Sequence, residues 1–124
     1  MNNHILHLGL QINANDFEGF YCSVLGFEQI RSFELTAENS EKIFQLKEGA
    51  TVKVGNCPEL QLELFVRQSP VCKSFNHICF ESNRILEIER KAIAYKYRTV
   101  LLQHSGTLFL MDSSNNMFEI KLYK

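Results

Sequence analysis

Residues 117–122 read Met-Phe-Glu-Ile-Lys-Leu, and this alternation of apolar and polar side chains predicts a β-strand. Successive side chains on a strand point to opposite faces, so the residues at even positions share one apolar face and Glu119 lies on the other. Three further segments repeat the design, each with one potential metal ligand among aliphatic residues. They are Leu-His-Leu-Gly-Leu at 6–10 with His7, Leu-Gln-Leu-Glu-Leu-Phe at 60–65 with Glu63, and Asn-His-Ile-Cys-Phe at 76–80 with His77.

These four polar residues form a pattern that none of them carries alone. A single His in a strand is usually a surface or hydrogen-bonded residue, and a single Glu usually marks the solvated face of its sheet. The order His then Glu, however, occurs once in each half of the chain. If the strands share a sheet whose apolar face packs on helices, two imidazoles and two carboxylates converge on its other face. Such a group is suited to a divalent transition metal.

The composition is that of one ordinary globular domain. The chain has 124 residues, of which 45% are hydrophobic and 22% charged, and its net charge of −1 gives no electrostatic reason to expect nucleic acid as a partner. No apolar run is long enough to span a bilayer, and the first residues lack the charged region of a signal peptide, so we expect a cytoplasmic protein without a membrane partner. The four cysteines have no zinc-finger spacing, which predicts free thiols.

The first half of the chain reads as a strand, a helix and then further strands. Residues 7–12 alternate as a strand, and Asn15, with Glu18 three positions later, predicts a helix start whose helix ends at Gly26. The apolar residues of this helix are Phe17, Phe20, Tyr21, Val24 and Leu25. Further strands are predicted at 27–34, 42–47 and 59–67, with a turn over 36–40 and a short strand extension at 50–54.

The second half repeats this order after a predicted linker at 68–74. A strand at 75–81 leads to a helix capped by Ser82 and Asn83. The apolar stripe of the helix is Ile85, Leu86, Ile88, Ala92 and Ile93. Strands follow at 99–104, 107–111 and 117–123. Each half therefore reads as βαβββ, and the sequence predicts one α+β domain over 1–124, built from modules at 1–67 and 75–124.

Longer motifs make the pattern more specific. His7 and Leu10 are followed by Phe-Tyr-Cys-Ser-Val-Leu-Gly-Phe at 20–27, and the chain ends its last hairpin with Leu-Phe-Leu-Met-Asp-Ser-Ser-Asn-Asn-Met-Phe-Glu-Ile at 108–120. Together with the Glu63 and His77 strands, these motifs closely resemble the glyoxalase/bleomycin resistance/dioxygenase family, also called the vicinal oxygen chelate superfamily. The resemblance covers nearly the whole chain.

The resemblance implies a fold, a metal site and an assembly. The fold would be two βαβββ modules whose curved mixed sheets form a glyoxalase-like cradle with flanking helices. The metal-ligand positions of glyoxalase I fall on His7, Glu63, His77 and Glu119, and all four hold the glyoxalase-type residue. The cofactor would be a divalent transition metal such as Zn, Ni, Co, Mn or Fe. The family also implies a homodimer, in which some cradles take ligands from both chains.

Two departures from the family pattern bear on the substrate. Gln11 stands where glyoxalase I enzymes of the bacterial type usually have Arg, and Arg67 stands where they have Asn. Because these positions anchor glutathione in such enzymes, the resemblance does not favour glutathione-dependent glyoxalase I activity. The turn at 112–116 also lacks the usual Pro and Gly, although Asn tolerates left-handed dihedrals.

The ligand chemistry and the resemblance together indicate a metal-dependent lyase or isomerase acting on a small substrate with vicinal oxygens. The ion would polarise a carbonyl, and Glu119 or Glu63 would act as the catalytic base that moves a proton between adjacent carbons. The expected substrate-binding residues lie on the same strand faces. They are Gln11, Phe65, Cys79, Phe109 and Met111.

Two alternatives stay open at this level. If Glu63 lies too far from the ion, His7, His77 and Glu119 leave a face suited to Fe(II) in a dioxygenase or to Mn(II) in a fosfomycin-resistance enzyme. A protein of the bleomycin-resistance type would instead sequester a small molecule without turnover.

Overall fold

Two four-stranded sheets make up the fold of the computed structural model, which describes residues 5–68 and 71–122. The N-terminal sheet contains β1 (Leu8–Ile12), β2 (Glu28–Leu35), β3 (Ala50–Asn56) and β4 (Gln61–Val66). The C-terminal sheet contains β5 (His77–Ser82), β6 (Arg98–Leu102), β7 (Thr107–Met111) and β8 (Met117–Leu122). The helices are α1 (Ala14–Asp16), which continues as a π-helix at Phe17–Cys22, α2 (Ala37–Phe44) and α3 (Ile85–Ala94).

Both sheets have the same strand order. It is β1-β4-β3-β2 in the N-terminal sheet and β5-β8-β7-β6 in the C-terminal sheet. β1 pairs with β4, and β5 with β8, in parallel, whereas all other neighbouring strands are antiparallel. The chain is therefore α+β with two mixed sheets, which confirms the fold class predicted from the sequence. Ser69 and Pro70, inside the predicted linker at 68–74, lie outside the described residues.

The first helix begins two residues earlier than predicted. Asn13 caps it, because Asn13 Oδ1 accepts a hydrogen bond from the backbone N–H of Asp16 at 3.0 Å, so the prediction that Asn15 is the cap is wrong. All five predicted apolar residues of this element are buried. The element ends at Cys22 with Ser23 as its C-cap, three residues before the predicted stop at Gly26, which lies after the following turn with a left-handed φ of 80° that favours glycine.

One region of the N-terminal half differs from the prediction in secondary structure. The sequence predicts a turn at 36–40 and a strand at 42–47, and both predictions are wrong because α2 occupies this region. The third strand of the sheet is instead β3, which lies where only a short extension at 50–54 was expected. The number of strands in the N-terminal sheet is unaffected.

Local hydrogen bonds explain why this segment is helical. Thr36 Oγ1 accepts from the backbone N–H of Asn39 at 3.1 Å and caps the helix. Glu38 and Lys42 form an ion pair of 3.2 Å one turn apart. Gln45 then closes the helix in a left-handed conformation with a φ of 59°. The helix is consequently stabilised by a cap at each end and by an ion pair on its exposed side.

The third helix presents a narrower apolar face than predicted. Ile85, Ile88 and Ala92 are buried, whereas Leu86 is 75% and Ile93 60% exposed, so the prediction that these two belong to the buried stripe is wrong. With ten residues this is the longest helix. Within the two described ranges, no helix has the length and apolar character that crossing a bilayer requires.

A single hydrophobic core joins the first and third helices to both sheets. Leu62 and Leu64 of β4 and Phe118 and Ile120 of β8 are 0% exposed and belong to one cluster with the apolar residues of the first and third helices. The residues between them on each strand are only half-buried. Each sheet therefore has an apolar face on the core and a polar face that carries the predicted ligands.

An ion pair that we call the Arg84 clamp ties β4 to the end of β5. The Arg84 guanidinium donates to both carboxylate oxygens of Glu59, at 2.6 and 3.0 Å, and to the carbonyl of Leu25 at 3.0 Å. Ser82 Oγ donates to Glu59 Oε2 at 2.6 Å. Burial raises the pKa of Glu59, but the hydrogen bonds from Arg84, Ser82 and Cys57 outweigh it and lower the pKa to about 2. Arg84, and not the predicted Ser82 or Asn83, occupies the N-cap position of α3.

A buried polar cluster, the turn network, connects the first helix to the turn before β8. Asp16 accepts hydrogen bonds from Ser113 Oγ at 2.6 Å and Ser114 Oγ at 3.0 Å. Tyr21 donates its hydroxyl to Asp112 Oδ2 at 2.7 Å. Asn115 in this turn has a φ of 73°, and no other residue type in the turn tolerates that conformation as well. Two serines of this turn thus bind a carboxylate of the first helix.

Candidate metal centre

The C-terminal sheet holds His77 and Glu119 together. Cys79 of β5 pairs with Glu119 of β8, so His77, two residues before Cys79, reaches Glu119 diagonally on the same face. His77 Nε2 lies 3.0 Å from Glu119 Oε1. The other ring nitrogen, Nδ1, lies 2.8 Å from the carbonyl oxygen of Phe75. The imidazole is therefore fixed at both nitrogens.

The N-terminal sheet repeats this arrangement with His7 and Glu63. Gly9 of β1 pairs with Glu63 of β4, and His7 lies two residues before Gly9. His7 Nε2 is 3.6 Å from Glu63 Oε1. The relation of His to Glu along the parallel strand pair is thus the same in both sheets, as expected if the two halves of the chain are structural repeats.

The four predicted ligands form two pairs and do not meet in a single chain. Among residues 5–68 and 71–122, no three His, Cys, Asp or Glu side chains are grouped closely enough to hold one ion. Each pair supplies two ligands, which is half of a four-ligand site. A common site for His7, Glu63, His77 and Glu119 therefore stays a prediction, and it requires two chains.

The donor atoms of the His77–Glu119 pair fit a cation. A carbonyl oxygen can only accept, so Nδ1 of His77 carries the proton that binds Phe75. In a neutral imidazole this leaves a lone pair on Nε2, facing a carboxylate oxygen at 3.0 Å. Two acceptors at this distance repel unless a proton or a cation lies between them. A carbonyl on the non-ligating nitrogen is also how metal-bound histidines are commonly oriented.

The carboxylates and the distances also fit. The side chains of Glu63 and Glu119 are each only 16% exposed, so a neighbouring positive charge stabilises them. Two ligands about 2.1 Å from one ion are about 3.0–3.4 Å apart, depending on its geometry. The observed separations of 3.0 and 3.6 Å are close to this range. Each pair is consequently a suitable half of a site for a divalent transition metal.

Three of the predicted substrate-binding residues accompany the C-terminal pair. Phe109 of β7 is the cross-strand partner of Glu119, Cys79 is its partner on the other side, and Met111 follows on the same face as Phe109. Partial burial, followed by the charge of Glu119, raises the pKa of Cys79, which favours a neutral thiol. Lys121 Nζ lies 3.2 Å from Glu119 Oε2 and adds a positive charge beside this pair.

The other two predicted residues, Gln11 and Phe65, accompany the N-terminal pair and lie opposite each other in β1 and β4. Arg67 donates from Nη1 to Gln11 Oε1 at 3.2 Å and from Nη2 to Glu48 Oε1 at 2.6 Å. A guanidinium therefore lies beside position 11 after all, although it comes from the neighbouring strand. From the sequence, Arg67 was only a departure from the family pattern. Its proximity to Gln11 could have been inferred only from the β1–β4 register.

A cavity of about 380 Å³ lies between β1 and the start of β5. Its lining includes Gln11, Asn76, His77 and Met117. His77 thus borders open space as well as its carboxylate partner, which leaves room for a ligand at the C-terminal pair.

Solved structures with the same architecture include fosfomycin resistance proteins. The FosX protein from Mesorhizobium loti matches with a TM-score of 0.72 and 13% identity, over 98% of this chain and 92% of that chain. FosX from Listeria monocytogenes, complexed with Mn(II) and a sulfate ion, matches with a TM-score of 0.72 and 19% identity, over 100% and 95%. A variant of the Listeria protein complexed with Mn(II) and 1S,2S-dihydroxypropylphosphonic acid has a TM-score of 0.69 and 18% identity, over 98% and 90%.

Comparison of sequences alone adds no relative. No family model and no curated protein matches the chain. The structural likeness spans both sheets and extends over nearly the full length of each protein. The chain therefore has the fold of the FosX proteins, which is the glyoxalase-like fold that its sequence predicts.

Proposed function

We propose that this protein is a divalent-metal-dependent enzyme that acts on a small substrate with vicinal oxygens. The observation that carries the proposal is the His77–Glu119 pair, in which an imidazole with its Nδ1 proton committed to a carbonyl faces a mostly buried carboxylate at 3.0 Å. The pair at His7 and Glu63 repeats the arrangement in the other sheet. Imidazole nitrogens and carboxylate oxygens in this arrangement are donors suited to a divalent transition metal.

We further propose that each complete site forms between two copies of the chain. A symmetric dimer presents the His7–Glu63 pair of one copy to the His77–Glu119 pair of its partner, and by symmetry it does so twice. The apolar side chains near both pairs support this assembly, since Phe75 is 98%, Ile5 79% and Leu6 78% exposed in the single chain. Burial of such residues in a partner would remove an unfavourable apolar surface from water.

In this proposal His7, Glu63, His77 and Glu119 would hold the ion, which would act as a Lewis acid on the substrate oxygens. Glu119 or Glu63 takes a proton from one carbon and returns it to the adjacent carbon, which is an isomerase or lyase type of chemistry. Lys121 Nζ, 3.2 Å from Glu119 Oε2, places a positive charge beside this carboxylate. The apolar side chains of Phe65, Phe109 and Met111 would restrict water around the reacting atoms.

A second candidate is an enzyme of the fosfomycin-resistance type. The shared fold of FosX supports it, as does the complex of that protein with Mn(II) and a dihydroxypropylphosphonic acid. In this chain Lys121 would offer a positive charge to a phosphonate beside the ion. Growth of fosfomycin-treated cells that express the protein separates this candidate from the first.

A complementation experiment tests the two-chain metal site. One variant carries His7→Ala and Glu63→Gln, and the other carries His77→Ala and Glu119→Gln. Each alone should bind no stoichiometric Mn(II) or Zn(II). When the two are unfolded together and refolded as a mixture, heterodimers regain one intact site out of two, so metal binding should return to about a quarter of the wild-type value. No recovery from the mixture, or full binding by either variant alone, contradicts the proposal.

Activity measurements test the chemistry. Turnover of any substrate should stop when a chelator removes the ion and should return with added metal, whereas a sequestering protein would bind its ligand without metal. In a methylglyoxal–glutathione assay with Ni, Co, Mn, Fe and Zn supplied in turn, we expect no robust turnover. Efficient turnover with any of these ions would assign the protein to glyoxalase I chemistry instead.

A further inference from the structure

A second cavity, of about 200 Å³, lies between the polar face of the N-terminal sheet and α2. We call it the helix-roofed cavity. Its walls are mostly apolar and include Leu35, Phe44, Leu46 and Phe65. The rings of Phe44 on α2 and Phe65 on β4 meet edge to face, with centroids 5.4 Å apart. The helix that the sequence did not predict is therefore the roof of this cavity.

Two charged side chains, Arg67 and Glu48, line this mostly apolar cavity, and Arg67 is the cationic one. The backbone N–H of Arg67 donates to the carbonyl of Ile12 at 2.7 Å, which extends the β1–β4 pairing by one residue. Its side chain consequently shares the face of Glu63 and Phe65. Arg67 Nε is buried and has no hydrogen-bond partner within the described part of the chain. A buried donor in this state is unfavourable, and an acceptor brought by a ligand would satisfy it.

Gly9 relates the helix-roofed cavity to the N-terminal metal pair along the β1–β4 register. Gly9 lies opposite Glu63 in the strand register and also lines the helix-roofed cavity. A Cβ atom at this position would lie 3.3 Å from Phe65 Cε1, so a larger residue would push the Phe65 ring. The absence of a side chain at Gly9 therefore leaves room for the Phe65 ring in the cavity wall.

We propose that the helix-roofed cavity binds the apolar body of a small organic anion, and that Arg67 binds its carboxylate or phosphonate group. The apolar walls match a hydrocarbon body, and a guanidinium can pair with either headgroup through two parallel hydrogen bonds. A volume of about 200 Å³ is below the roughly 300–1,000 Å³ of sites for drug-sized ligands, so the ligand is small. The role of this cavity as a substrate subsite rests on the proposed metal-dependent function. The binding of the anion to the cavity does not depend on that function.

Glu48 occupies the place of the ligand's headgroup in the single chain. It accepts from Arg67 Nη2 at 2.6 Å, but its side chain is 68% exposed. Exposed ion pairs contribute little because water and salt screen them. An anion whose body is buried under α2 can therefore displace Glu48 from Arg67, and removal of the Glu48 charge should strengthen binding.

Calorimetric titration of the full-length, metal-free protein tests the proposal without involving the metal site. The probes are hexanoate, hexylphosphonate, the neutral 1-hexanol and inorganic phosphate, which lacks an apolar body. We expect one of the two organic anions to bind at least tenfold more tightly than 1-hexanol or phosphate. The preferred headgroup identifies the anion class. Equal affinity for all four probes, or no binding of either organic anion, overturns the proposal, whatever the outcome of the metal experiments.

Three variants assign the binding to these residues. Arg67→Gln should lower the affinity for the preferred anion at least tenfold and leave that for 1-hexanol unchanged. Glu48→Gln should raise the anion affinity about two- to fivefold, the size expected for loss of an exposed competing charge. Lys42→Gln, on the solvent side of α2, is the control and should change neither affinity. If Arg67→Gln does not fold, an unchanged or lower anion affinity in Glu48→Gln still contradicts the proposal.

Discussion

The His7–Glu63 and His77–Glu119 pairs have the same place in their sheets but different surroundings. The C-terminal pair is closer, at 3.0 Å against 3.6 Å, and the carbonyl of Phe75 holds the second nitrogen of its imidazole. Lys121 also contacts its carboxylate. The C-terminal pair is therefore preorganised by fixed polar partners.

The surroundings of the N-terminal pair are of another kind. Gly9, the register partner of Glu63, lines the helix-roofed cavity, and Phe65 and Arg67 lie further along the same face. The comparison indicates a division of tasks in one repeated arrangement. Under the proposed function, the more fixed C-terminal pair would contribute more to metal affinity, and the N-terminal sheet would contribute the helix-roofed cavity.

The largest expected effect concerns the two carboxylates. Glu119→Gln and Glu63→Gln should each lower kcat by about 10²–10⁴-fold, because an amide cannot accept the proton that either carboxylate is proposed to move. Steady-state kinetics on the metal-loaded protein measures this. Glu81→Gln is the matched control, since Glu81 is exposed on the same strand as His77 and should leave kcat unchanged. Wild-type rates in both carboxylate variants would eliminate the proton-shuttle mechanism.

Metal affinity separates the two histidines. His77→Ala should lower the affinity for Mn(II) or Zn(II) by about 100-fold or more, because it removes a ligand whose orientation is already fixed. His7→Ala should have a smaller effect, since the wider His7–Glu63 pair is less preorganised. Calorimetric titration of each variant with metal measures both, and His104→Ala, in an exposed turn, serves as the control. A larger loss for His7→Ala would reverse the assigned tasks.

The sequence was sufficient to predict the strands that carry these pairs, because alternation of buried and exposed residues directly determines which face a side chain takes. It also predicted the apolar face of the first helix and a turn at 112–116 in which Asn can take a left-handed conformation, as Asn115 does. The α2 segment was misassigned because its helix depends on caps at Thr36 and Gln45 and not on apolar periodicity. Its few apolar residues, such as Phe44, cover a ligand cavity instead of the core.

The separation of the ligands into two pairs could not be predicted for a different reason. Periodicity assigns a residue to a face of its own sheet, but it contains no information on how two sheets are placed in space. Arg67 was missed likewise, because its partners Gln11 and Glu48 are distant in sequence and adjacent only through the fold. Long-range placement follows from the shared core and from the polar contacts between the two halves.

The Arg84 clamp tests whether that placement matters. Glu59 precedes β4, which carries Glu63, and Ser82 ends β5, which begins at His77. Arg84→Met should lower the free energy of unfolding by about 1–3 kcal/mol at pH 7, the loss expected for hydrogen bonds to a charged group. If the clamp aligns the two His–Glu pairs, Arg84→Met should also lower the metal affinity.

The pH dependence of the clamp follows from the pKa of Glu59. Its folded-state pKa is lowered from 4.5 to about 2, so its contribution is complete above pH 4.5 and is lost as the pH falls from 4.5 towards 2. The stability difference between wild type and Arg84→Met should shrink over this interval, as measured by denaturant unfolding. Lys91→Met removes an exposed ion pair on α3 and should cost less than about 0.5 kcal/mol at any pH. A difference that is constant down to pH 2 would contradict the assignment.

The smallest expected effect comes from the turn network, which positions β8 and hence Glu119. Tyr21 is fully buried and donates to Asp112 at 2.7 Å, while Asp112 also accepts from the backbone N–H groups of Ser114 and Asn116. Because these other donors remain, Tyr21→Phe should cost about 1–2 kcal/mol in thermal or denaturant unfolding and not abolish folding. Tyr95→Phe, at a 54% exposed position, should change stability by less than about 0.5 kcal/mol. If Tyr21→Phe also lowers metal affinity, the turn before β8 controls the C-terminal pair. Unchanged metal affinity would instead indicate that the C-terminal pair is held in place by the direct contacts of His77 and Glu119 alone.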